Sequence, residues 1–192
     1  MKDTELLWTV HSRERICHTP VFDVLAQKET AANGMDGTYV AISAPDWVVV
    51  IPVYGSDFFM VKQWRHGLEA LSVEFPAGLC DPNEDPALAA ARELREETGC
   101  LAGKITLLCE CNPNPALFIN RLFVYLAEDL TPTGRQELDA DEFLNAVRLP
   151  IREVIRDFGT GLFQHAYTGT AIGMYLRHRL LSSPDPAEII PD

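Results

Sequence analysis

Three glutamates, Glu93, Glu96 and Glu97, stand at the spacing i, i+3, i+4 within the stretch from Gly78 to Cys100, G-L-C-D-P-N-E-D-P-A-L-A-A-A-R-E-L-R-E-E-T-G-C. Asp85 suits a helix N-cap, Pro86 the first helical position and Gly99 the C-terminal cap, and Ala87 to Glu97 are strong helix formers. On such a helix the three carboxylates share one face and reach a common point. Like charges at this spacing oppose one another by about 0.2–0.5 kcal/mol per pair, and so late in a helix they also face the negative end of its dipole. A hard divalent cation would offset this, because Mg²⁺ takes oxygen ligands and is held by one or two carboxylates plus substrate phosphates. Ala87, Ala90 and Leu94 form an apolar stripe that can seat the helix on a core and leave the acidic face toward a cleft. The alternative is a solvated acidic face, the ordinary fate of a charge run.

The spacing resembles the Nudix box of the Nudix hydrolase superfamily: Gly, five residues, Glu, seven residues, then Arg-Glu-aliphatic-any-Glu-Glu-any-Gly-aliphatic. Gly78, Glu84, Arg92, Glu93, Leu94, Glu96, Glu97 and Gly99 all fall in place. Seven of these positions demand one residue type, so a chance match at a given start is on the order of 10⁻⁹ to 10⁻⁸. Cys100 replaces the usual closing aliphatic residue, and a buried cysteine acts as a small hydrophobe.

This resemblance implies hydrolysis of a nucleoside diphosphate linked to another moiety, with Mg²⁺ or Mn²⁺ as cofactor. It implies Glu93 and Glu97 as metal ligands, with Glu96 in support and the Ala77 carbonyl completing the shell. Arg92 would orient the carboxylates, and Glu84 would either reach a water-bridged metal or hold Arg92. Outside the box, Lys62-Gln63-Trp64-Arg65 followed by Val73-Glu74-Phe75-Pro76-Ala77-Gly78 resembles the ADP-ribose pyrophosphatase branch. That likeness implies Arg65 as a diphosphate clamp, Glu74 as its substrate-side or structural partner, and Trp64 or Trp47 as a base-stacking ring. The branch carries a proline near Pro115, commonly followed by glycine; here the loop reads Asn112-Pro113-Asn114-Pro115-Ala116. A general base or a further metal ligand comes in relatives from a late acidic loop, which points to Glu142, with Glu137 and Asp139 as alternatives. His66, beside Arg65, is a candidate phosphate contact, whereas His11, His18, His165 and His178 have no companions in sequence that suggest a site.

Composition bounds the partners. The 192 residues carry a net charge of −12, which argues against a nucleic-acid backbone or an anionic membrane surface as partner. With 47% hydrophobic and 23% charged residues the chain reads as an ordinary globular protein. No apolar run approaches a membrane span and the N-terminus lacks a signal-peptide pattern, so a cytoplasmic location is expected. Five cysteines without regular spacing fit a reducing compartment, and Cys109 and Cys111 share one face of an expected strand without a second ligand pair.

Before the helix, four short β-prone segments are expected at Leu6 to Val10, Arg15 to Cys17, Val21 to Leu25 and Gly37 to Ile42. A hairpin follows, Trp47 to Val53 and Phe58 to Arg65, then an extended Val73 to Ala77. Beyond the box the pattern predicts strands near Lys104 to Glu110, Leu117 to Ala127 and Phe143 to Leu149, with a charged loop from Glu128 to Asp141. A short helix after Pro150 and an amphipathic helix from His165 to Leu181 complete the order. The expected class is α/β: a Nudix α/β/α sandwich with a mixed sheet over residues 46–182, a small antiparallel sheet over 1–45, and a flexible tail over 183–192. By resemblance the first sheet forms a homodimer. The leading function is hydrolysis of a nucleoside diphosphate sugar, ADP-ribose first, to a nucleoside monophosphate and a sugar phosphate. The alternatives are GDP-mannose, coenzyme A or nucleoside triphosphates, or a nucleotide-sensing module without turnover.

Overall fold

The computed structural model describes residues 2–140 and 142–183, so most of the expected tail, from residue 184 on, lies outside the described residues. The chain divides into two compact units, one formed by the residues up to Asp46 together with Asn112–Arg121, the other by Trp47–Cys111 and the residues from Leu122 onward.

The first unit is an antiparallel sheet of β1 (Trp8–His18), β2 (Asp23–Ala31) and β3 (Asp36–Ser43), preceded by a 3-10 turn at Asp3–Leu6. Four short segments were expected, but the first two are one strand. The polar run His11 to Glu14 does not break it, because its side chains bond across the pair: His11 Nε2 lies 2.7 Å from Thr30 Oγ1, and Arg13 Nε donates to Gln27. The proline-punctuated loop also joins this unit. Ile42 exchanges backbone bonds with it, its N–H donating to the Leu117 carbonyl and its carbonyl accepting from Ile119 N–H. Asn112 folds the loop on itself by donating to the carbonyls of Phe118 and Asn120.

The second unit is built on a mixed sheet of β4 (Trp47–Tyr54), β5 (Asp57–Arg65), β6 (Ala70–Glu74), β7 (Ala77–Leu79), β8 (Cys100–Cys111), β9 (Leu122–Pro132) and β10 (Leu144–Pro150). Its main path runs β10-β5-β4-β9-β8, with β6 on β5 and β7 on β4, and β4 pairs parallel with β9. β4 is a continuous apolar run because both of its faces are covered. Val48 and Val50 pack with Ala89, Ala90 and Leu94 of α1 (Pro86–Thr98). On the other face, Val49 and Ile51 join Val154 of α2 (Ile151–Asp157) and Ala171, Ile172 and Tyr175 of α3 (Ala166–Ser182). The result is the expected α/β/α sandwich.

Two boundaries differ from the sequence expectation. β9 starts at Leu122, since residues 114–120 belong to the other unit. It also runs on to Pro132, through residues expected to be loop, because β8 pairs with it as far as Cys100↔Pro132 and Lys104 binds Glu128 across the pair at 2.7 Å. Cys109 and Cys111 pack on the core beneath the α3 face, and all five cysteines are free thiols.

Phe58 anchors that core, with its ring 5.0 Å from Phe75 and 5.1 Å from Tyr175, both edge-on. Phe58→Ala is expected to cost about 3–5 kcal/mol, read as a lower urea midpoint at unchanged slope.

Candidate active site

Local capping fixes the box helix as its sequence demands. Asp85 accepts a hydrogen bond from Ala87 N–H at 2.8 Å, Pro86 opens the helix, and Gly99 closes it in the left-handed region at φ 66°. Any side chain at Gly99 would also meet the Arg135 backbone at 2.7 Å. The buried stripe is Ala89, Ala90 and Leu94, with Ala87 only partly covered. Seating that stripe turns Glu93 and Glu97 inward, where they are 7% and 3% exposed. The acidic face is therefore buried, which excludes the solvated-helix alternative.

Arg92 is the hub of this face. Its Nε and Nη2 bind both oxygens of Glu84, at 3.0 and 2.9 Å, while Nη1 binds Glu93 at 2.8 Å and Glu96 at 3.2 Å. Nη2 also donates to the Leu79 carbonyl. Five bonds to three carboxylates and one carbonyl raise the guanidinium pKa further above its already high value, chiefly through Glu84. Glu84 in turn accepts from Asp81 N–H, so the loop before the helix is tied to Arg92. Gly78 completes the packing, because a Cβ there would lie 2.0 Å from Glu93 Oε1.

The Glu97 carboxylate receives one hydrogen bond among the described residues, from Ala77 N–H to Oε2 at 3.0 Å. Burial pushes its pKa up to about 8, and the neighbouring charges of Glu93 and Glu142 add to the shift while Arg65 opposes it. Glu93 is also raised, first by burial and despite Arg92, with Glu96 and Glu142 contributing. Of the carboxylates in the late loop, Glu142 thus bears on both buried glutamates. Its own Oε2 is held by Asp139 N–H at 3.1 Å. Glu137 turns instead toward Arg95, at 3.6 Å.

The loop is positioned by a device the sequence reading did not single out. A helix leaves its last carbonyls without partners, and here the loop supplies donors: Gln136 Nε2 to Glu97 O, Glu137 N–H to Glu96 O, and Thr133 to Gly99 O. A glutamine and a threonine a few residues before the acidic cluster were the available signal.

Arg65 lies at the end of β5 and is held by Glu74 of the neighbouring β6. Its Nε lies 2.9 Å from Oε1 and its Nη2 2.6 Å from Oε2 of a carboxylate that is 2% exposed. Among the expected alternatives for Glu74 the geometry is that of an arginine anchor. Arg65, Trp64 and His66 line a cavity of about 650 Å³ with Ser72, His165 and Tyr167. His165 was expected to lack companions; tertiary contact places it 3.8 Å from Glu74. Trp64 is 49% exposed beside that cavity, whereas Trp47 is half-buried and packs against Tyr167 at the edge of the core. Pro115 belongs to the first unit, where it lines a separate cavity of about 520 Å³ with Trp8 and Tyr39.

The donor set of the box fits a hard divalent cation, since it offers only carboxylate and carbonyl oxygens and its two buried carboxylates are disfavoured as anions. Among the described residues no three acidic, histidine or cysteine side chains yet converge as a ligand set. Arg92 draws Glu93 and Glu96 to itself, and the Ala77 amide takes one oxygen of Glu97.

Comparison with known proteins agrees with this geometry. The NUDIX domain family model matches residues 45–166. An ADP-ribose pyrophosphatase of Bacillus subtilis is 32% identical over 147 residues, covering 76% of this chain and 80% of the relative. The ADP compounds hydrolase NudE of Escherichia coli is 28% identical over 149 residues, covering 77% and 80%. A crystal structure of an ADP compounds hydrolase superposes with a TM-score of 0.79 at 26% identity, covering 92% of this chain and 96% of that one. The chain belongs to the Nudix family and is a pyrophosphohydrolase.

The raised pKa of Glu97 sets a test of the site without substrate. A carboxyl bound more tightly to its proton in the folded state stabilises the fold below its unfolded pKa, and that contribution is lost as pH rises through the folded value, about 8. In metal-free protein, the thermal midpoint of the wild type relative to Glu97→Gln is expected to fall between about pH 5 and 8. Added Mg²⁺ is expected to recover the loss at pH 8 in the wild type and not in the variant.

Proposed function

We propose that this chain hydrolyses the diphosphate linkage of a nucleoside diphosphate sugar, ADP-ribose or a related ADP-sugar first, releasing a nucleoside monophosphate and a sugar phosphate. The observation that carries the reading is the pair Glu93 and Glu97: two buried carboxylates, of which Glu93 shares Arg92 with Glu84 and Glu96, while Glu97 has a backbone amide and no bonded cation among the described residues. Such a pair gains most from a divalent cation delivered with a polyphosphate. Bound Mg²⁺ or Mn²⁺ would neutralise the diphosphate and make the attacking water more acidic. Glu93 and Glu97, with Glu96 and the Ala77 carbonyl, are the residues that would hold it.

The protein groups then have separate tasks. Arg92, anchored by Glu84, keeps the carboxylates in register and does not touch substrate. Glu142 faces both buried glutamates from the late loop and accepts the proton of the attacking water. Arg65, immobilised by Glu74, presents its remaining guanidinium edge to the diphosphate, and Trp64 walls the adjoining cavity. The names of the B. subtilis and E. coli relatives support an ADP-linked substrate over GDP-mannose, coenzyme A or nucleoside triphosphates. The intact box favours turnover over a purely sensing role.

The first unit we assign to homodimerisation, supported by β1, exposed along its whole length and carrying Trp8, Val10 and Ile16 outward. A second copy of the chain would cover them, and light scattering would then give twice the chain mass. Free thiols throughout support a cytoplasmic setting, and no helix among the described residues is long and apolar enough to cross a membrane.

The test is phosphatase-coupled release of phosphate from ADP-ribose, ADP-glucose, GDP-mannose, coenzyme A and nucleoside triphosphates with Mg²⁺ or Mn²⁺. One ADP-sugar is expected to turn over most efficiently, and Glu97→Gln is expected to lose at least about 10²-fold in kcat with its fold intact. Wild-type protein that turns over none of these compounds would overturn the reading.

A further inference from the structure

His165 is the N-cap of α3, yet its side chain makes no capping hydrogen bond. Serine, threonine, aspartate or asparagine would serve the free amides better at this position. The imidazole turns instead toward the Arg65–Glu74 pair. Its Nε2 lies 3.8 Å from Glu74 Oε2, the same oxygen that Arg65 Nη2 binds at 2.6 Å. From behind, the ring meets Tyr167 edge-on at 4.9 Å, and Tyr167 is itself braced on Trp47 at 5.4 Å. Two rings of the core thus hold the imidazole against a buried carboxylate.

The surrounding charges define what the ring does there. Glu74 and Arg65 neutralise each other, and burial holds the His165 pKa below its ordinary value despite the carboxylate, so the ring is neutral near pH 7. A neutral imidazole offers the carboxylate a weak second contact and a hard steric stop. Where a local stability rule is broken without a local gain, the reason is sought in the site it serves. The same wall carries Trp64 and His66, and it opens into the cavity of about 650 Å³ onto which Arg65 faces.

We propose that His165 is a positioning residue for Arg65: by backing the Glu74 carboxylate at Oε2, it fixes the direction in which the guanidinium meets an anionic substrate. The inference rests on Arg65 binding the diphosphate. It assigns to the N-cap residue of α3 a part in substrate affinity that its position beside the helix does not call for.

The experiment compares wild type, His165→Ser, His165→Gln, Arg65→Lys and the double variant His165→Ser/Arg65→Lys, using ADP-ribose with Mg²⁺ for kinetics and thermal melting for stability. Serine is the better cap, so the thermal midpoint of His165→Ser is expected to rise by about 2–4 °C. Its KM is nonetheless expected to rise about 3- to 10-fold with kcat within about twofold, because the clamp binds substrate and transition state alike. Glutamine can place an amide N–H near the position of Nε2 and is expected to regain most of the affinity. The KM effects of His165→Ser and Arg65→Lys are expected to be strongly non-additive, since one acts through the other. Unchanged KM in His165→Ser, full additivity in the double variant, or a lowered thermal midpoint with a parallel loss of kcat would each overturn the positioning role. Wild-type protein inactive on ADP-ribose would overturn the functional reading as well, so wild-type turnover tells the two failures apart.

Discussion

The site depends on one guanidinium. Arg92 binds Glu84, Glu93 and Glu96 at once, and without it the box would bring several carboxylates together in a region screened from water. A buried carboxylate that loses its partner either takes up a proton or opens its surroundings. Arg92 does not cancel the burden entirely, and Glu97, beyond its reach, remains the most strongly perturbed carboxyl of the cluster. That burden is what a divalent cation would relieve under the proposed function, and it is concentrated on Glu93 and Glu97.

The rest of the second unit serves to keep that cluster in place. β4, apolar on both faces, lies between the box helix and the α2–α3 layer, so any shift of the helix would disturb two cores. Gly78 allows the loop backbone to approach Glu93 more closely than any side chain would permit. The acidic loop bearing Glu142 is fastened to the spare carbonyls at the end of the same helix. The capping requirement of a helix and the placement of a candidate base are met by one set of hydrogen bonds.

Arg65 illustrates a second use of burial. An exposed arginine ending a strand would sample many rotamers and lose entropy on binding an anion. Here Glu74, withdrawn from solvent, fixes the guanidinium plane by a fork of hydrogen bonds and leaves its remaining edge toward the cavity. The ion pair contributes direction more than stability, since the burial of a charged pair offsets much of its attraction.

The box helix, its caps, the identity of the acidic cluster and the β4–β5 hairpin were legible in the sequence, because each rests on local spacing: helical period, cap chemistry, and β-prone runs bounded by a turn. The family likeness followed from the same spacing. What the sequence did not disclose was non-local. The polar run His11 to Glu14 read as a break in β1 because its cross-strand partners lie in β2, nineteen residues on for His11 and Thr30 and fourteen for Arg13 and Gln27; that residues 114–120 join the first unit depended on pairing with Ile42. His165 looked isolated, since Glu74 lies some ninety residues earlier in the chain. Residue types and short spacings thus determined which chemistry was available, while tertiary structure decided which carboxylates were buried, which were bonded to Arg92, and which histidine reached the Arg65–Glu74 pair, because burial and long-range contact exist only once the strands have paired and the helices have been seated.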